Sequence, residues 1–136
     1  LPAWCGSDRL TPIFRRVATR LGGSPQTHGS PTHQYERLAA CFDELLHQHG
    51  YRREGPRYRV VSASKEVIAC FCHAGTILTL LGHLLHWPLP LVYSHLSYDP
   101  TGVTRLEWVE HEGYAVPKAR TINDLSHLTR AGLRAP

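Results

Sequence analysis

The chain has 136 residues, 42% of them apolar and 19% charged, with a formal charge of +4. These proportions suit one folded domain with a core of its own, and they exclude a disordered tail or two full-sized domains. The positive excess is scattered as single arginines, which tolerates an anionic ligand such as a phosphate ester but forms no basic stripe for nucleic acid.

No stretch approaches the roughly 20 apolar residues of a bilayer span, because Gly82 and His83 interrupt the longest run. No basic-then-apolar leader opens the sequence either, so the expectation is a cytoplasmic protein that does not engage a membrane. Cys5, Cys41, Cys70 and Cys72 do not form a disulfide framework, and reduced thiols fit that compartment. Methionine is absent and Leu1 comes first, which leads to the expectation that the natural initiator lies upstream.

Residues 8–21 carry apolar side chains at helical spacing (Leu10, Ile13, Phe14, Val17, Leu21), and residues 22–31, rich in Gly, Ser and Pro, form a loop. Ser30 is an N-cap and Pro31 a first helical residue, opening a helix whose stripe is Tyr35, Leu38, Ala39, Phe42, Leu45 and Leu46. Gly50 ends that helix. Residues 51–53 and 57–61 flank Glu54-Gly55-Pro56 and predict a hairpin.

Residues 66–72 (EVIACFC) are a continuous apolar run of strand length, the pattern of a strand covered on both faces in a parallel sheet. On such a strand Cys70 and Cys72 point into one packing layer as small hydrophobes. His73-Ala74-Gly75 follows, then a helix over 76–86 with Ile77, Leu80, Leu81, Leu84 and Leu85 buried. Three prolines and three aromatics mark 87–100 as a long loop. Residues 103–109 alternate as a strand, Glu112-Gly113 turns, 114–122 returns, and 125–131 closes in a helical turn. Neither a repeat nor an internal boundary interrupts 1–136, an α/β or α+β layout in one domain.

The chemistry concentrates where the apolar run meets His73. Ligands of open α/β sheets bind beyond the carboxyl ends of strands, where helix N-termini present free N–H groups to an anion. His73 followed by two small residues can face a phosphate at close range; the plainer alternative is a polar residue closing a strand.

The segment VIACFCHAGTILTLLGHLL resembles the second-histidine segment of the histidine phosphatase (phosphoglycerate-mutase-like) superfamily. Downstream, Thr101-Gly102-Val103-Thr104 is similar to the stretch opening that family's next strand, and Asn123-Asp124-Leu125-Ser126-His127-Leu128 to its closing motif. Upstream, Gly50-Tyr51-Arg52-Arg53-Glu54-Gly55 with Tyr58-Arg59-Val60 is similar to a bacterial branch, and the resemblance spans about residues 35–130. It implies a three-layer αβα fold, a mostly parallel sheet with an antiparallel edge. It also implies a phosphate-ester hydrolase in which His73 is the second, phosphate-stabilising histidine and the Ala74 N–H a neighbouring donor. The ligand is then phosphate or a phosphorylated small molecule, with no cofactor and no metal. The closing Asn-Asp-x-x-His-Leu motif, His127 included, is read as structural.

The family's nucleophile lies in an Arg-His-Gly motif after the first strand, and this sequence has none. Thr27-His28-Gly29 lacks the arginine and the preceding apolar run. The family's acid has no obvious counterpart, since a solvated helix face accounts for Glu36, Asp43 and Glu44. The expectation is therefore a truncated domain lacking the N-terminal strand and the nucleophile, with a sheet edge beside 66–72 that a second copy could pair with in a homodimer. A non-catalytic phosphate-binding or scaffold domain is the alternative, with Tyr93, His95 and Tyr98 either lining the pocket or anchoring their loop. A metal on Cys70, Cys72, His73, His83 and His86 fits the usual Cys-x₂₋₄-Cys spacing poorly. A Cys72 nucleophile lacks positioned oxyanion donors.

Overall fold

The computed structural model describes residues 31–133, so the predicted helix over 8–21, the loop that follows it and Thr27-His28-Gly29 lie outside the described residues. Among the described residues, four helices and the strands of one four-stranded sheet follow in the order α1 (Pro31–Gln48), β1 (Tyr51–Glu54), β2 (Arg57–Val60), α2 (Ala74–Leu85), α3 (Leu89–His95), β3 (Val103–His111), β4 (Tyr114–Asp124) and α4 (Ser126–Arg130). The result is a mixed α/β fold. No described helix is long and apolar enough to cross a membrane.

α1 follows its apolar spacing, burying Leu38, Ala39, Leu45 and Leu46. It ends where Gly50 takes φ +92°, and a Cβ there would lie 2.0 Å from the Ser62 carbonyl oxygen. Gly50 therefore both stops the helix and lets the chain leaving β2 pass close, its carbonyl accepting from the Val61 N–H at 2.8 Å. The β1–β2 hairpin turns on Gly55 and Pro56, with Glu54 opposite Arg57. The longer β3–β4 hairpin turns on Glu112 and Gly113, both with positive φ, the turn geometry that suits the natural twist of paired strands.

The sheet runs β1-β2-β4-β3, and each of its three pairings is antiparallel. On its inner face Leu46, Tyr51, Tyr58, Leu84 and Ala115 form the core, with Phe42, Val60, Leu106 and Trp108 packed against it. The indole of Trp108 lies between Tyr51 and Tyr58, at centroid distances of 6.1 and 6.2 Å.

Five expectations need correction. The apolar run 66–72 is not a strand: it has no ladder partner among the described residues, and Val67 is 88% and Phe71 79% exposed. Apolar composition favours a buried strand only when a neighbouring strand supplies the hydrogen bonds. For the same reason the described sheet is antiparallel rather than mostly parallel, and Cys70 and Cys72 are exposed rather than packed in a layer. The predicted loop 87–100 contains α3, whose two prolines sit at its N-cap and in its first turn, where no backbone donor is required. Finally, α2 begins at Ala74, two residues ahead of the expected start at Thr76.

Candidate functional site

His73 is the N-cap of α2, with an extended backbone at φ −86° and ψ 160°. Its side chain makes no capping hydrogen bond and, like Ala74, it is exposed, so the imidazole is not occupied by its own helix. The first intrahelical bond runs from the Ile77 N–H to the His73 carbonyl at 3.1 Å. The N–H groups of Ala74, Gly75 and Thr76 precede it, in the turn where a helix has no internal acceptors to offer. No acidic side chain lies in this turn, so nothing opposes the positive end of the helix dipole. His73, Ala74 and Gly75 are thus exposed together at the N-terminal end of α2.

The first turn is braced from behind by α3. Tyr93 donates its hydroxyl to the Gly75 carbonyl at 2.8 Å, Thr79 Oγ1 reaches the same oxygen at 2.8 Å, and the two hydroxyls are 2.7 Å apart. Tyr93 thus anchors its segment to α2, whereas Tyr98 is tied to the start of β3, its hydroxyl 3.0 Å from both the Gly102 carbonyl and Thr104 Oγ1. His95 is exposed. The closing motif is a clasp: Asn123, at φ +55°, donates from Nδ2 to Asp99 at 2.7 Å and accepts from the Asp99 N–H at 3.1 Å. A Cβ on Gly102 would strike the Asn123 side chain at 2.0 Å. Asp124 accepts from the Ser126 N–H at 2.8 Å, while His127 makes no contact with the His73 end among the hydrogen bonds described.

The other end of α2 is built quite differently. His83, only 8% exposed, places Nε2 2.9 Å from Asp43 Oδ1 on α1 and 2.9 Å from Arg53 Nη1 on β1. Arg53 also donates to the Tyr58 hydroxyl at 2.7 Å and to the His83 carbonyl at 3.3 Å, and its Nη2 lies 3.2 Å from His86 Nε2. Tyr58 in turn donates to Asp43 at 3.0 Å. One ring nitrogen cannot both accept from Arg53 and donate to Asp43, so a proton on His83 Nε2 selects Asp43 and a bare Nε2 selects Arg53. Partial burial pushes the Asp43 carboxyl up, but the His83 hydrogen bond and charge, Arg53 and Tyr58 outweigh it and hold the group below its ordinary value. Burial and the Asp43 carboxylate together push the Tyr58 hydroxyl well up.

The expectation that a solvated face explains Asp43 is therefore overturned. It sits four residues after Ala39 and three before Leu46, inside the buried stripe, and that position is the signal that marks it out. Arg53 and Tyr58, quoted above only for the resemblance, belong to the same cluster: they are opposite each other in register and lie two residues from Tyr51 and Val60, on the same inward face of the hairpin. The ring nitrogens of His83 and His86 both lie within hydrogen-bond distance of the Arg53 guanidinium. Among the described residues, no three His, Cys, Asp or Glu side chains are placed to hold a metal ion. Comparison with known proteins found no protein family, no characterised protein and no solved structure that matches the chain.

Proposed function

We propose that residues 35–130 are the C-terminal portion of a histidine-phosphatase-type, phosphoglycerate-mutase-like domain that binds the phosphoryl group of a small phosphate ester. The single observation behind this reading is His73, exposed and uncapped at the start of α2, with the amides of the first turn beside it. His73 and the Ala74 N–H would stabilise the charge that spreads over the phosphoryl oxygens as the ester bond breaks. An in-line nucleophile is a separate requirement, and no Arg-His-Gly motif occurs in the 136 residues. The same absence favours a second reading, in which this region binds a phosphate ligand or acts as a scaffold without catalysis. In the complete three-layer αβα arrangement, the exposed apolar run 66–72 would be an inner strand of a mostly parallel sheet, covered by a neighbour or by a second copy of the chain.

Two assays on the same protein test this. Hydrolysis of p-nitrophenyl phosphate in EDTA should stay at background for the wild type, His73→Ala and His28→Ala. Amide NMR with inorganic phosphate should shift Ala74 and Gly75 in the wild type and leave them unmoved in His73→Ala. Turnover that disappears in His73→Ala would reveal a complete active site, and turnover also lost in His28→Ala would identify the nucleophile. If phosphate moves no amide of the first turn, the phosphatase and phosphate-binding readings both fall and only a scaffold is left.

A further inference from the structure

At the opposite end of α2 from His73, an open cavity of about 490 Å³ lies between the C-terminal end of the helix and one edge of β4. Its walls are apolar along Leu84, Leu85, Trp87 and Pro56, Lys118 is its cationic group, and no acidic residue lines it. Trp87 is 42% exposed, a large aromatic surface left open to solvent.

The cavity exists because the sheet is incomplete there. β4 is paired with β3 from Tyr114 to Asp124, but β2 pairs with β4 only through Tyr58↔Ala115 and Arg59↔Tyr114. The chain then turns away at Gly55-Pro56, so beyond Ala115 the second edge of β4 has no ladder partner among the described residues. The backbone groups on that edge can be identified. The Gly113 carbonyl accepts from the Val60 N–H at 2.9 Å, and in an antiparallel ladder alternate residues direct both N–H and C=O to the same side. Ala115, Pro117 and Ala119 therefore face the β2 side, and Val116 and Lys118 face β3. Pro117 is tolerated within the strand because the side it faces requires no donor from it. The cavity is thus bordered by a short strand edge that presents the Pro117 carbonyl and the Ala119 N–H and C=O.

We propose that this cavity is a docking site for an extended acidic peptide, which adds to β4 as a strand alongside Pro117–Ala119 where β2 leaves off. Main-chain bonds to Pro117 and Ala119 hold the peptide, and an apolar side chain rests on Trp87 and Leu84. A carboxylate of the peptide meets Lys118. Glu107, across the ladder from Lys118, is already held by Arg120. A purely apolar peptide would leave Lys118 unanswered, and a basic one would be repelled by it.

The test uses the full chain and a fluorescein-labelled octapeptide, Glu-Val-Thr-Val-Glu-Val-Thr-Glu, read by anisotropy and by amide NMR. The expected result is saturable binding that shifts the Ala119 amide. Ala119→Pro, which removes the edge N–H but keeps the β3 ladder, should weaken binding about tenfold or more, as should Lys118→Glu. A peptide with alternate amides N-methylated, or one with lysine in place of glutamate, should not bind. Circular dichroism and thermal melts matching the wild type establish that each variant is folded. Equal affinity of wild type and Ala119→Pro would overturn strand addition, and equal affinity of the acidic and lysine peptides would overturn the charge argument. Absence of binding by the acidic peptide would overturn the proposal as a whole. Binding of 1-anilinonaphthalene-8-sulfonate but not the peptide would reassign the cavity to small amphiphilic anions.

Discussion

The two ends of α2 are made of the same kinds of residue and serve opposite purposes. At its C-terminal end, His83 and His86 are tied through Arg53, Asp43 and Tyr58 to α1 and to both strands of the first hairpin. At its N-terminal end, His73 is exposed and bonded to nothing in its own cap, and only the hydroxyls of Tyr93 and Thr79 brace the turn behind it. A helix fixed at one end can present the other as a rigid platform, because a histidine that is not engaged in packing remains available to a ligand. This difference leads to predictions of graded size.

The largest effect is expected at the fixed end. Tyr58, with 0% exposure, sits in the core and donates to Asp43, so Tyr58→Ala should cost about 3–5 kcal/mol in urea unfolding. A cost below about 1 kcal/mol would mean that the network does not hold α2. Asp43→Ala strands Arg53 and His83 without their shared acceptor and should cost about 2–3 kcal/mol, with Asp43→Asn recovering part of it.

The third prediction concerns pH. Because the folded state holds the Asp43 carboxyl below its ordinary value, the group binds its proton less readily folded than unfolded. Its stabilising contribution is therefore complete above the unfolded value of about 3.9 and is lost as pH falls through the lower, folded one. Glu54, Glu107 and Asp124 are also held low, by Arg59, by Arg120 and by the Ser126 N–H respectively, so the wild-type curve alone is not diagnostic. The informative quantity is the stability difference between wild type and Asp43→Asn, which should shrink as pH falls below about 4. A difference independent of pH would show that Asp43 acts by shape rather than charge.

The smallest effect belongs to the open end. His73→Ala removes an exposed ring with no capping role, and melting should change by less than about 0.5 kcal/mol. If instead it cost as much as Asp43→Ala, the two ends would be structurally equivalent and the platform picture would fail.

The sequence made some of this visible and concealed the rest for physical reasons. α1 and both hairpins were legible because helical spacing from Tyr35 to Leu46 and the pairs Gly55-Pro56 and Glu112-Gly113 act locally. Residues 66–72 were not, because a two-sided apolar run describes a preference for burial without naming the neighbour that would provide it. α3 was hidden behind Pro88 and Pro90, which usually break helices but are harmless at the start of one. His73 stood out because small residues follow it. The Asp43–Arg53–His83 cluster did not, since its members lie ten and thirty residues apart and converge only once the hairpin has folded.

The clasp between Asp99 and Asn123 bears on the order of folding. Its partners are 24 residues apart, but β3 and β4 zip from the turn at Glu112-Gly113 and bring Val103 opposite Asp124. Once that ladder is complete, the loop the clasp must close is only a few residues long, and its entropic cost is correspondingly small. The Tyr98–Gly102 segment should then be among the last parts of the chain to order and the first to open in native-state hydrogen exchange, well before the hairpin that carries it.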